Sequence, residues 1–202
     1  MSALNLRSLH TVFLDRDGTI NVKAATGEYV KSPADLVLLP GAAKAVAALN
    51  AAGLRTILVT NQRWLSEKPA DPGHYVAVHA RLEQLLAHEG AWLDAAYRCP
   101  HATGVCDCRK PNAGMLRRAA REHSFDLAGA VIVGDSDTDL LAGRTAGTAT
   151  ILLRGANGGG AVDADAVVED LGAAARLVLH ANSNATDARE LGRPYQQRNG
   201  KR

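Results

Sequence analysis

The chain has 202 residues, 47% of them hydrophobic and 22% charged, with a formal net charge of +2. That is room for one domain with a full core, and its composition is ordinary for a globular protein. Residues 181–202 hold five Lys/Arg against two Asp/Glu, which leaves the body near −1, so nothing in it reads as a nucleic-acid footprint, and no apolar run is long enough to span a membrane. Met1–His10 lacks the apolar core of a signal peptide, so a cytoplasmic monomer without nucleic-acid or membrane partners is expected. The three cysteines cluster at Cys99, Cys106 and Cys108, an odd count that suits metal binding better than disulfides in a reducing compartment.

Taken in order, residues 1–10 read as a lead-in and Thr11–Asp15 as the first strand, a run of apolar residues that ends in two carboxylates, Asp15 and Asp17. Residues 16–33 are polar and glycine-containing, a loop expected to cover the strand end. Pro40-Gly41 opens an alanine-rich helix that Gly53 stops. Thr56–Thr60 is a second strand. Asp71-Pro72 caps a helix whose stripe is Tyr75, Val78, His79, Leu82, Leu85 and Leu86. A short strand at Asp94–Arg98 and a helix at Asn112–His123 follow. Ala130–Gly134 repeats the first pattern, an apolar strand running into Asp135, Asp137 and Asp139. A helix at Asp137–Ala146, strands at Thr150–Leu153 and Ala166–Val168, and a helix at Asp170–His180 complete the domain. Gly155–Gly160 reads as a connector, because no strand–glycine–helix order with a lysine makes it a phosphate cradle. Residues 181–202 read as a disordered polar tail. Strands alternating with helices predict an α/β fold, a doubly wound, mostly parallel sheet.

In such sheets ligands bind beyond the carboxyl ends of the strands, where Asp15 and Asp135 both fall. Carboxylates with waters form an oxygen shell that suits Mg²⁺. Asp137 and Asp139 read as N-cap and first-turn residues that oppose the helix dipole. Cys99, His101, Cys106 and Cys108 supply three thiolates and an imidazole, a closed tetrahedral set for structural Zn²⁺. Such a metal would hold a loop too short to bury a core of its own.

Asp15-Arg16-Asp17-Gly18-Thr19 resembles the nucleophile motif of the haloacid-dehalogenase-like (HAD) phosphatases. The likeness extends through Ile20-Asn21, Thr60-Asn61-Gln62, Cys99-Pro100-His101, Cys106-Asp107-Cys108-Arg109-Lys110-Pro111 and Val133-Gly134-Asp135 to the zinc-loop heptose-1,7-bisphosphate 7-phosphatases, with the related histidinol-phosphate phosphatases as the alternative. The resemblance implies a HAD Rossmann-like domain at residues 1–180, without a large cap and with a zinc-stabilised loop at residues 99–108. It implies an aspartyl-phosphate formed on Asp15, with Asp17 as general acid and base and Thr60 and Lys110 on the phosphoryl oxygens. Mg²⁺ would be held by Asp15, Asp135 and the backbone carbonyl of Asp17. The substrate, a small phosphorylated sugar of nucleotide-heptose biosynthesis, would meet Tyr29, Asn61, Gln62, Arg63, Arg109 and Ser136.

Two features depart from the family pattern. The segment after Gln62 is Arg63-Trp64-Leu65-Ser66-Glu67-Lys68-Pro69 where a small residue and glycine are usual, so a pocket altered in size and charge is expected. The zinc loop is also shorter, with four residues between His101 and Cys106. A non-catalytic zinc module would lack Asp15 or Asp17, and a phosphomutase would need room for a cap that this chain does not have.

Overall fold

Alternation along each apolar run decides what a strand faces. The computed structural model describes residues 9–67, 71–154 and 162–191. In β1 (Thr11–Leu14), Val12 and Leu14 point to one side and Phe13 to the other. In β2 (Arg55–Asn61), Leu58 opposes Ile57 and Val59, and in β4 (Ala130–Gly134), Val131 and Val133 oppose Ile132. With both faces apolar these strands must be covered twice, as parallel strands are. They join β3 (Ala95–Cys99), β5 (Ala149–Leu153) and β6 (Ala166–Val168) in a sheet of order β3-β2-β1-β4-β5-β6, with every neighbouring pair parallel.

The helices supply the cover. On the Val12 side lie Val46 and Leu49 of α1 (Ala42–Ala51), Val78, Leu82 and Leu86 of α2 (Pro72–Ala87), and Ala174, Ala175 and Val178 of α5 (Leu171–Leu191). On the Phe13 side lie Met115, Leu116 and Ala119 of α3 (Gly114–Glu122) and Ala142 of α4 (Asp137–Ala146). The doubly wound α/β fold is therefore observed. No cap is inserted after β1: residues 15–41 carry only a 3₁₀ turn at Pro33–Asp35 and two isolated bridges, Asp17 with Asn21 and Asn21 with Leu38. None of the described helices is long and apolar enough to cross a membrane.

Differences from the expected elements have local causes. α3 starts two residues later than expected, because Asn112 turns its side-chain amide onto the Cys106 carbonyl (2.9 Å). α5 does not stop at His180. The Asn182 side chain accepts from the Leu9 amide and donates to the Leu9 carbonyl, both at 2.8 Å, and the helix continues to Leu191. The Gly155–Gly160 connector and residues 192–202 of the tail lie outside the described residues.

Candidate active site

The strand order reverses direction between β1 and β4, the switch point at which open sheets bind ligands. Leu14 is in register with Val133, and the Asp15 amide donates to the Val133 carbonyl, so Asp15 and Asp135 leave the sheet side by side. Gly18 turns the chain with φ +91°, and a Cβ there would lie 2.2 Å from Asp135 Oδ2. Only glycine lets this backbone approach that carboxylate. Gly134 does the same at β4, where a Cβ would meet that of Asp139 at 2.4 Å. Asp15, Asp135 and Asp139 then place carboxylate oxygens within 4.8 Å of one another.

Lys110 is the counterion. It is 2% exposed, and its Nζ lies 2.7 Å from Asp15 Oδ1, 2.6 Å from Asp139 Oδ1 and 2.7 Å from the Val59 carbonyl, which takes up all three ammonium protons. Asn61, at the end of β2, presents its carboxamide to both backbone groups of Lys110 (2.9 and 3.1 Å). Asn61 thus positions the lysine as well as lining the cavity. Burial opposes the Lys110 charge, but Asp139 and Asp15 outweigh it and hold its pKa above the ordinary lysine value. Burial pushes Asp15 up to about 7; Asp139 and Asp17 add to that and Lys110 opposes it.

Asp17 faces a different set of groups. Its carboxylate accepts from the buried Arg16 guanidinium (3.0–3.3 Å), from Asn21 Nδ2 (3.0 Å) and from Gln62 Nε2 (2.9 Å). Gln62 Nε2 also donates to Thr60 Oγ1 (2.8 Å), and its Oε1 accepts from Trp64 Nε1 (2.8 Å). Gln62 is fully buried and does not reach the cavity wall.

A cavity of about 260 Å³ opens over these groups, with Asp15, Asp17, Thr60, Lys110 and Asp135 on its floor and Lys23, Glu28, Tyr29, Arg109, Ser136 and Thr138 on its walls. Lys23 Nζ pairs with Asp135 Oδ2 at 2.7 Å. A larger groove, about 610 Å³, runs along β3 past Tyr97, Arg118 and His123 and touches none of the site carboxylates.

The expected residues thus converge, with exceptions. Arg63 turns away to Glu67 (3.4 Å) and does not line the cavity. Trp64 is 3% exposed and lies beneath Gln62. The departure at Arg63-Trp64 therefore does not add bulk or charge to the pocket wall: the 3₁₀ turn Arg63–Ser66 folds the indole inward. Ser136 is the N-cap of α4, in a capping box whose other member is Asp139, with Oγ 2.6 Å from Asp139 Oδ2. Asp139 was read only as a helix-start residue. It fills that role and is also the buried partner of Lys110.

Two places fit metal ions. Asp135 Oδ1 is buried and has no hydrogen-bond partner, while three carboxylates crowd the same space. A hard divalent cation suits that oxygen set. Away from the cavity floor, Cys99, His101, Cys106 and Cys108 bring Sγ and Nδ1 atoms 3.2–3.7 Å apart. Bonds of about 2.3 Å to a tetrahedral zinc would set sulfur atoms about 3.8 Å apart, so the cluster has nearly the required size. Cys99 ends β3 opposite Asn61, and Cys108 precedes Arg109-Lys110, so the cluster ties both supports of the buried lysine.

The HAD-hydrolase-like family model matches residues 107–175. A D-glycero-β-D-manno-heptose-1,7-bisphosphate 7-phosphatase from Bordetella bronchiseptica is 39% identical over 175 residues, covering 83% of this chain and 97% of that protein. The D-glycero-D-manno-heptose-1,7-bisphosphate 7-phosphatase of Thermosynechococcus vestitus is 38% identical over 187 residues, covering 83% and 94%. The crystal structure of D,D-heptose 1,7-bisphosphate phosphatase from B. bronchiseptica with magnesium and phosphate superposes with a TM-score of 0.78, at 38% identity over 85% of this chain and 99% of that one. The crystal structure of D,D-heptose 1,7-bisphosphate phosphatase from Burkholderia thailandensis gives 0.63 at 30% identity, over 84% of this chain and 97% of that one. With paired carboxylates at a parallel-sheet switch point and a buried lysine across from them, these matches define the class: a phosphatase of the HAD superfamily. Within that class, the chain belongs to the heptose-1,7-bisphosphate 7-phosphatase family.

Proposed function

We propose that the protein removes the 7-phosphate of D-glycero-β-D-manno-heptose-1,7-bisphosphate, in the cytoplasm and in the service of nucleotide-heptose synthesis. The observation that carries the reaction type is the Asp15–Lys110–Asp139 cluster facing Asp135 across the switch point. A carboxylate needs no partner base to act as a nucleophile. Asp15 Oδ attacks phosphorus, the phosphorus–oxygen bond to the sugar breaks, and Asp17, on the same cavity floor, gives its proton to the departing alkoxide. Water then attacks the aspartyl-phosphate, Asp17 takes that water's proton, the phosphorus–oxygen bond to Asp15 breaks, and the Asp15 carboxylate is regenerated as inorganic phosphate leaves. Thr60 donates to a phosphoryl oxygen, and Lys110, whose Asp15 bond is given up as Asp15 Oδ attacks, turns that proton to the phosphoryl group while Asp139 and the Val59 carbonyl keep it in place. Asp15, Asp135 and the backbone carbonyl of Asp17 would hold Mg²⁺, which supplies positive charge to the phosphoryl group and favours an ionised Asp15. Zn²⁺ held by Cys99, His101, Cys106 and Cys108 would be structural, since four protein ligands leave no open position.

The substrate follows from the walls. Arg109 lines the cavity next to Lys110, and its Nη1 is buried without a hydrogen-bond partner, so a second phosphate can meet a guanidinium there. Remote binding of this kind positions the ester for attack. Histidinol phosphate is the second reading, favoured by the Glu28 carboxylate on the same wall. Phosphate release from both substrates separates them. The bisphosphate is expected to lead by at least tenfold in kcat/KM, about 1.4 kcal/mol, and Arg109→Ala should reduce that lead through the bisphosphate. Equal rates on the unmodified protein would give first place to histidinol phosphate.

A further inference from the structure

Trp64 belongs to the stretch that departs from the family pattern, and no step of the reaction above uses it. We propose that Trp64 is a positioning residue of the phosphatase site: its indole fixes the Gln62 carboxamide so that Thr60 keeps its hydroxyl proton for the phosphoryl group. The proposal rests on the phosphatase reading of the cavity.

An indole N–H can only donate. At 2.8 Å from Gln62 Oε1, with both side chains buried, Trp64 Nε1 requires the carbonyl end of that amide to face it. The NH₂ end then points the other way and donates to Thr60 Oγ1 at 2.8 Å and Asp17 Oδ2 at 2.9 Å. Thr60 Oγ1 is thereby an acceptor toward the protein. Its own proton has no protein acceptor among the described residues, and the side chain lines the cavity. The reversed amide would do the opposite. It would set Oε1 against the Thr60 hydroxyl and draw that proton inward, and it would set NH₂ against the indole N–H.

Two groups oppose the reversal, the Asp17 carboxylate, which accepts from Gln62 Nε2 at 2.9 Å, and the indole, which donates to Gln62 Oε1 at 2.8 Å. Of the two, only the indole stands outside the reacting groups, so it can be altered without touching the acid. The effect belongs to the step in which charge builds on the phosphoryl oxygens, where one lost preorganised donor costs far more than it does in binding.

Trp64→Phe keeps an aromatic ring in the buried space and removes the N–H. It is expected to lower kcat by at least tenfold and leave KM within about twofold. A double-mutant cycle with Gln62→Met separates positioning from packing. With no amide to orient, adding Trp64→Phe to Gln62→Met should change kcat/KM by less than twofold. The same factor lost in both backgrounds, or no loss in Trp64→Phe alone, overturns the proposal. If Trp64→Phe does not fold, the unmodified protein carries the test. The Gln62 side-chain NH₂ should exchange slowly with solvent and show NMR cross-peaks to Thr60, and exchange at the rate of a free amide overturns the proposal. An unmodified protein that releases no phosphate from any phosphomonoester would instead overturn the underlying reading.

Discussion

Gly18 and Gly27 make a matched pair. Both have left-handed backbones, φ +91° and +87°, so an alanine at either pays the same conformational penalty, about 1–2 kcal/mol. They differ in what surrounds the added methyl group. At Gly27 no atom lies within 4 Å, whereas at Gly18 the methyl would sit 2.2 Å from Asp135 Oδ2 and 2.6 Å from its Cγ. Overpacking of that kind costs a further 1–3 kcal/mol, roughly. Asp135 is not the flexible end of a surface chain: it leaves β4 beside Asp15 and has to stay there to serve a cation. Gly27→Ala should therefore lose about 1–2 kcal/mol and Gly18→Ala roughly 2–5 kcal/mol in urea unfolding at unchanged slope. Calorimetric titration with Mg²⁺ should show weakened binding for Gly18→Ala and near-normal binding for Gly27→Ala. Equal destabilisation of the two variants, or an unaltered Mg²⁺ affinity in Gly18→Ala, would refute the argument from close approach.

Lys110→Met should abolish phosphate release and destabilise the fold by roughly 3–5 kcal/mol, because Asp15 and Asp139 would stay buried without their counterion; a loss below 1 kcal/mol in urea unfolding would show that the three charges contribute little to stability. Elemental analysis should find about one zinc per chain, and Cys106→Ser should lower the melting temperature. Zinc-free protein with unchanged melting and full turnover would leave the thiol cluster without a structural role.

Most of the sheet was legible because its strands announce themselves twice, by apolar runs and by what ends them. Ala130–Gly134 running into Asp135 is as clear on the page as in the fold. α4 has its expected bounds, Asp137–Ala146, but its N-cap is Ser136, one residue before the Asp137 expected there. What was not legible depends on contacts across the chain. The turns at Arg63–Ser66 and Leu127–Gly129 are too short to carry a period. Past His180, α5 is tied to the start of the chain by Asn182, whose side chain meets the Leu9 backbone 173 positions away, a contact no local pattern records. In the site, Asp15, Thr60 and Asp135 could be named from their strand-end positions, and Asp17 and Lys110 from the motifs that carry the family resemblance. Asp139 carried two meanings, and a helix-cap pattern accounts for only one of them. Trp64 read as an intrusion because an aromatic beside a polar motif suggests bulk in the pocket; only the folded chain shows it directed into the interior.

The place of β1 in the sheet also matters for how the chain is made. β1 has neighbours on both edges, β2 from residue 55 and β4 from residue 130. A ribosome adding about 5–20 residues per second reaches β2 within seconds, but needs roughly 6–23 s to go from Leu14 to Ala130. For that interval Val12, Phe13 and Leu14, all buried in the finished molecule, lie along an edge that nothing has yet paired. Lys110 emerges before either Asp135 or Asp139, so it can meet Asp15 first and wait for its second carboxylate. The arrival of β4 then closes the sheet and brings the remaining acids to the site in one event.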